Sequence, residues 1–216
     1  MRGNCMKLYI YEHCPFCLRT RMISGLKQLD MQYEVIMEGD AETPTRLVGK
    51  KVVPILQKQD GTHMTESLDI IQHLDQLAEP SYVQEVDAPE LEQWCKDSAD
   101  AIYKLVVPRF TKGQFKEVAT DEARAAFVAR ETRVFGDLDD LIANSGEHLA
   151  KINQKLLELE DLVDTREDVH LIDFKLFPLL RSLSIVKGLQ FGNKVNRYMQ
   201  NLADKSKVDL LFDQAI

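Results

Sequence analysis

The feature that most restricts this chain is a β-rich run, Lys7-Leu8-Tyr9-Ile10-Tyr11, leading through Glu12-His13 into Cys14-Pro15-Phe16-Cys17. Apolar residues then recur at helical spacing as Leu18, Met22, Ile23, Leu26 and Leu29, so the pattern predicts a helix over Pro15–Leu29. Arg19, Arg21 and Lys27 are expected on its charged outer face. A strand that hands over to a helix at a cysteine sets the sulfur beside unpaired N–H groups and the positive end of the helix dipole. Both favour an anion, so the Cys14 pKa is expected below the ~8.5 of a free thiol. Pro15 suits the first helical turn, where its missing N–H is not needed. Cys17 follows about one turn later, close enough for a small disulfide. The pattern is that of an attacking thiol, Cys14, and a resolving thiol, Cys17.

Further elements support this start. Gln32–Met37 alternates as a second strand. A short helix opens at Thr43-Pro44, and Val53–Gln57 reads as a third strand. Asp60-Gly61 is a hairpin signal leading to a brief fourth strand at His63-Met64. A helix then begins at Thr65-Glu66-Ser67, with Ile70, Ile71, Leu74 and Leu77 on its buried side. The order is βαβαββα over residues 6–77, with parallel strands joined by helices and finished by a hairpin. Such sheets carry their chemistry at the carboxyl ends of strands, where the thiol loop falls.

Residues 78–89 hold two prolines and several acids and read as a linker. Beyond them the signal is helical, over Glu90–Val107, Thr120–Leu141, Glu147–Leu162, Ile172–Lys187 and Lys194–Lys205. Pro108 and Gly146 are expected to separate segments and Pro178 to kink one. The fold class is an α/β domain over 6–77 followed by an all-α domain over 90–216.

The 216 residues, 44% hydrophobic and 29% charged, suit a globular protein with a substantial core. A net charge of −8 speaks against a nucleic-acid binder. No apolar run nears the ~18 residues of a membrane span, and the start lacks the apolar core of a secretory signal. The chain is therefore expected in the cytoplasm, with residues 1–5 as an upstream-start extension or a tail. Cys5 and Cys95 stand apart, so the four cysteines do not form a disulfide framework. A zinc site needs a second close Cys or His pair, which is missing, so no metal is expected.

Three later stretches converge on Cys14 in this arrangement. Val53-Pro54 opens the third strand opposite the thiol loop, and a cis bond there would leave the Val53 N–H and C=O free to pair with an extended peptide. Glu66-Ser67 stands at a helix N-terminus, where Ser67 and free N–H groups can hold a carboxylate and Glu66 an ammonium. Lys50 and Lys51, just ahead of the strand, can meet a second carboxylate. Together they describe a site for a small zwitterionic thiol with carboxylates at both ends, the form of glutathione.

Cys14-Pro15-Phe16-Cys17, the Val53-Pro54 step, Glu66-Ser67 and the helical second half resemble the glutathione-transferase-like branch of the thioredoxin superfamily. Ala-Glu-Thr-Pro-Thr-Arg at 41–46 and Leu-Phe-Pro-Leu-Leu-Arg at 176–181 narrow this to the two-domain glutaredoxins, a likeness running from Met6 to Ile216. The resemblance implies a thioredoxin-like domain, an all-helical domain and glutathione-dependent disulfide reduction. It also implies Cys14 as nucleophile, Cys17 as resolving thiol, Val53 and Pro54 as the backbone pairing site, and Glu66 and Ser67 at the γ-glutamyl end, with Lys51 as a further contact. Glutathione would be the reducing cosubstrate, with no tightly bound cofactor and no metal. The partners would be glutathionylated or disulfide-bearing proteins, met by a monomer in the cytoplasm and not nucleic acid or membrane. One departure is His170, where relatives carry Ser or Thr three residues before the acid at Asp173, so the capping box there is incomplete. The competing readings are an omega-like glutathione transferase or dehydroascorbate reductase, a non-enzymatic binding module, and an iron–sulfur-bridged glutaredoxin.

Overall fold

A computed structural model describes residues 5–163 and 168–216. Most of the tail expected at residues 1–5 lies outside the described residues. The chain divides into two compact units, one of Met1–Val83 with Gln114–Phe127 and one of Gln84–Gly113 with Val128–Ile216.

In the first unit the strands are β1 (Met6–Ile10), β2 (Met31–Val35), β3 (Ile55–Gln57) and β4 (His63–Met64), in the order β2-β1-β3-β4. β1 and β2 run parallel, Met6 opposite Met31 and Ile10 opposite Val35. β3 runs antiparallel to β1, Tyr9 opposite Ile55, and forms an antiparallel hairpin with β4, so the sheet is mixed. The helices are α1 (Pro15–Leu26), α2 (Glu42–Val48) and α3 (Ser67–Asp75). α1 stops three residues short of the sequence reading because Gln28 turns into the left-handed region at φ 50°.

Strand alternation explains the layering. Tyr9 and Tyr11 point to one face, where they cluster with Ile36 and Ile55, and Cys14, Leu47, Val48, Val52 and Val53 pack against that cluster. Leu8 and Ile10 point the other way, and with Leu18, Met22, Ile23, Ile70, Ile71 and Leu74 they are buried. α1 and α3 pack against each other.

Lys27 does not lie on an outer face. Its side chain is 0% exposed, and its ammonium donates to the C=O groups of Asp75 (2.6 Å), Ala78 and Pro80 (2.7 Å). It also pairs with the Asp75 carboxylate at 3.0 Å. That carboxylate in turn accepts from Ser81 Oγ and from the N–H groups of Tyr82 and Val83. Residues 78–83 look like free linker by composition, yet they are tied into this unit by one buried ion pair.

The second unit is helical. α4 (Pro89–Phe110) carries Pro108 inside its last turn rather than ending there. The missing proline N–H costs one bond near the end of the helix, and Arg109 Nη1 donates to Leu105 C=O at 2.7 Å in the same turn. The single helix expected over Thr120–Leu141 is two, α5 (Asp121–Phe135), whose first half lies in the first unit, and α6 (Leu138–Ala143). Gly136 takes φ 80° between them, and Asp137 caps α6 by accepting from the N–H groups of Asp139 and Asp140. α7 (Gly146–Val163), α8 (Asp173–Leu183) and α9 (Asn193–Ser206) follow. At α8 the incomplete capping box is half made: Asp173 Oδ2 accepts from the His170 N–H at 2.8 Å, and its Oδ1 accepts from Tyr198 Oη at 2.7 Å. No helix among the described residues is long and apolar enough to cross a membrane.

Candidate active site

Cys14 is the N-cap of α1, with extended backbone at φ −67° and ψ 122°, and Pro15 follows at the first helical position. The Leu18 N–H donates to the Cys14 C=O at 2.9 Å, which starts the helix at this residue. The Cys14 sulfur is half-buried and Cys17, one turn on, is fully buried; both are free thiols. The Tyr11 N–H donates to Cys17 Sγ at 3.4 Å, fixing the second sulfur from the end of the strand.

The two thiols are electrostatically unlike. Cys14 is brought down to about 6, first by a hydrogen bond from the Cys17 thiol. Burial opposes the shift, while the His13 ring and the N–H groups of Cys17 and Phe16 reinforce it. Helix-terminal N–H groups therefore contribute, as the sequence suggests, but the neighbouring thiol contributes more. Cys17 moves well above its ordinary value, because burial disfavours its anion and the hydrogen bond and charge of Cys14 add to that. The sign of the pH dependence follows, since only the thiolate is reactive. Alkylation of Cys14 by iodoacetamide, followed by mass spectrometry of its peptide, should rise with pH and reach half its plateau near pH 6. A free thiol reaches half at roughly 8.5.

The other residues of the candidate site lie around this pair. The Val53–Pro54 bond is cis. Among the described residues no backbone hydrogen bond engages the Val53 N–H or C=O, and Val53 shares the cluster against which Cys14 packs. Ser67 is buried at the first turn of α3 and accepts a hydrogen bond from Arg19 Nη1 at 3.2 Å. Glu66 caps α3 with φ 65° and ψ 108°, a conformation that costs a residue with a Cβ of order 1–3 kcal/mol. Its exposed carboxylate pairs with Lys50 at 3.3 Å. Lys51 is exposed beside that pair in sequence. Of the two lysines, the one that meets a site residue is Lys50.

Sequence reasoning missed Arg19 and read Phe16 as a packing group. Phe16 is 45% exposed, and the Arg19 guanidinium lies 4.9 Å from its ring centroid. Arg19 thus links the exposed ring of the thiol motif to Ser67. It also missed His13 and Glu117. Both are buried, and His13 gives its backbone N–H (2.9 Å) and ring Nδ1 (2.7 Å) to one oxygen, Oε1, of Glu117. These residues are 104 positions apart, and nothing in the local pattern of either announces the contact. Among the described residues there is no cluster of three or more metal-ligating side chains.

Residues 8–82 match the model of the glutathione S-transferase N-terminal domain, and residues 90–215 that of the glutaredoxin 2 C-terminal domain. Glutaredoxin 2 from Escherichia coli K12 is 40% identical over 98% of this chain and 100% of its own. The chain belongs to the glutaredoxin 2 family. The family likeness extends to structure. Glutaredoxin 2 from Salmonella typhimurium, solved in complex with glutathione, has a TM-score of 0.94 at 37% identity, covering 99% of this chain and all of that one. A glutathione S-transferase from Rhodospirillum rubrum has a TM-score of 0.66 at 16% identity, covering 98% and 93%, and shares the fold alone.

Proposed function

We infer that this chain is a glutathione-dependent thiol–disulfide oxidoreductase in which Cys14 attacks and Cys17 resolves. The observation that carries the reading is the half-buried Cys14 thiol at the start of α1, with a pKa drawn down to about 6 beside a buried second thiol. Membership of the glutaredoxin 2 family supports the choice over the transferases, whose likeness is one of fold.

The Cys14 thiolate attacks a sulfur of the substrate disulfide, forms a mixed disulfide and expels the other sulfur as a thiolate. With a glutathionylated protein the protein thiol leaves, and a second glutathione then attacks the Cys14–glutathione bond, releasing glutathione disulfide and restoring Cys14. With a protein disulfide, Cys17 gives up its proton and displaces the reduced product, leaving Cys14–Cys17 as the redox-active disulfide. Two molecules of glutathione reduce that bond. Reduction of a protein disulfide consumes two glutathiones, whereas a glutathionylated substrate consumes one and supplies its own glutathionyl group as the other half of the glutathione disulfide.

In this reading the Val53 N–H and C=O, beside Pro54, pair with the backbone of glutathione. The first turn of α3 and Ser67 hold the γ-glutamyl carboxylate, Glu66 meets its ammonium, and Lys51 meets the glycyl carboxylate. Residues 6–77 act as the redox domain, 78–89 as a connector whose first part, to Val83, is tied to that domain, and 90–216 as the helical domain apart from Gln114–Phe127, which belong to the first unit. We place the protein in the cytoplasm as a monomer, passing electrons from glutathione to disulfide-bearing proteins and not serving membrane or nucleic acid, the last supported by a net charge of −8.

Turnover of a glutathione mixed disulfide, coupled to glutathione reductase, tests the proposal. Steady NADPH consumption is expected, with conjugation of 1-chloro-2,4-dinitrobenzene at background level. Strong conjugation without mixed-disulfide reduction would favour the transferase reading.

A further inference from the structure

Glu117 lies in the short 3-10 turn Lys116–Val118 and is 0% exposed. Its Oε1 takes both the His13 backbone N–H and ring Nδ1, while its Oε2 is buried with no hydrogen-bond partner. The His13 ring is stacked between Tyr11 (centroids 5.7 Å) and Phe127 (4.7 Å), with Phe115 tilted against it at 5.8 Å. The turn itself is anchored by Glu12 Oε2, which accepts from the Lys116 N–H at 2.9 Å, and by the Glu38 N–H, which donates to the Glu117 C=O at 2.8 Å. A buried carboxylate is costly unless it is paired. The short contact from this carboxylate is to one imidazole, and that imidazole belongs to the residue before Cys14.

We propose that Glu117 is a positioning residue for the attacking thiol: it fixes the His13 ring and provides the negative partner that lets this ring present positive charge to Cys14. The inference rests on reading Cys14 as the nucleophile, but its test reads ionisation and not turnover. The pKa pattern agrees, because His13 lowers Cys14. Burial pushes the Glu117 carboxyl up, yet the His13 hydrogen bonds outweigh it and hold that carboxyl below the usual glutamate range. Other charged or titratable groups on the surrounding elements include Tyr11 after β1, Glu12 before α1, Cys17, Arg19 and Arg21 on α1, Glu38 after β2, Lys116 on the turn and Asp121, Glu122 and Arg124 on α5.

The sign of the effect separates this role from a bare charge. A carboxylate acting directly on a nearby thiolate raises its pKa, as Glu117 does for Cys17, so its removal would lower the value. A carboxylate acting through His13 does the opposite. The experiment is the pH dependence of Cys14 alkylation by iodoacetamide in intact wild type and in Glu117→Gln, read on the Cys14 peptide. The midpoint is expected to rise by about one pH unit in Glu117→Gln, and Glu117→Asp to restore part of it. A midpoint that falls or stays put would overturn the proposal. If Glu117→Gln does not fold, His13→Gln serves in its place: it should raise the midpoint in the same sense, and an unmoved midpoint would be equally fatal. Loss of catalysis with an unchanged midpoint in either variant would count against the proposal while leaving Cys14 as nucleophile.

Discussion

Replacing Cys14 with serine is expected to reduce turnover of glutathione mixed disulfides to the uncatalysed level, a loss of about 10⁴-fold or more. A hydroxyl in this position is almost wholly un-ionised at neutral pH, whereas the thiol with a pKa of about 6 is mostly thiolate. Cys17→Ser should behave differently. Serine keeps a hydroxyl that can donate to Cys14 Sγ, so the largest influence on Cys14 is retained, and deglutathionylation should stay within about threefold of wild type. Reduction of protein disulfides, which needs an internal second thiol, should fall by at least roughly tenfold. Cys17→Ala removes the donor as well, and the pH midpoint of Cys14 should then move up. The coupled assay with both substrate types, run on all three variants, checks this pattern. Equal activity in Cys14→Ser would refute the assignment.

The second large effect is on stability. Lys27 and Asp75 form a buried pair that also binds residues 78–83. Removing one member leaves the other charge buried without its partner, which costs about 3–5 kcal/mol. Against a total of roughly 5–15 kcal/mol this is a serious loss. Asp75→Asn or Lys27→Met should lower the melting temperature by roughly 10 °C. Lys27→Met together with Asp75→Leu should recover little of it, since the Ala78 and Pro80 C=O groups, the Ser81 hydroxyl and the Tyr82 and Val83 N–H groups would all lose their partners. Acid should act in the same direction. Burial raises the Asp75 carboxyl, but the Ser81 hydroxyl, the Tyr82 and Val83 N–H groups and Lys27 together hold it below the usual aspartate value. The stabilisation is therefore complete above pH ~4 and is lost as pH falls through the lower folded value. Calorimetry of the variants from neutral to acid pH measures both. Variants melting within a degree or two of wild type would show that the pair does not hold the connector.

The parts of the molecule legible in the sequence are those set by neighbours along the chain. β1 and α1 were readable because a strand and an amphipathic helix each carry their own period, and Pro15 marks the junction between them. The Asp60-Gly61 hairpin and the helical second half were readable for the same reason. What escaped depends on distant partners. Lys27 looks like one more cation on a helix surface until Asp75 and the carbonyls of Ala78 and Pro80 close over it. His13 looks like an ordinary residue of a loop until a glutamate 104 positions away meets it. The antiparallel entry of β3, which makes the sheet mixed, is set by the course of the chain between α2 and Ile55, where no periodic signal exists. Pro108 misled because the rule against proline in helices weakens in the last turn.

The central claim is that Cys14 presents an ionised sulfur where β1 passes into α1 and that glutathione chemistry occurs there. It is tested most directly by treating reduced Cys17→Ser protein with glutathione disulfide and mapping the adduct by mass spectrometry. One glutathionyl group on Cys14, formed fastest above pH 6 and removed by added glutathione, is the predicted result. An unmodified Cys14, with glutathione carried instead by the exposed Cys5 or by Cys95, would contradict it.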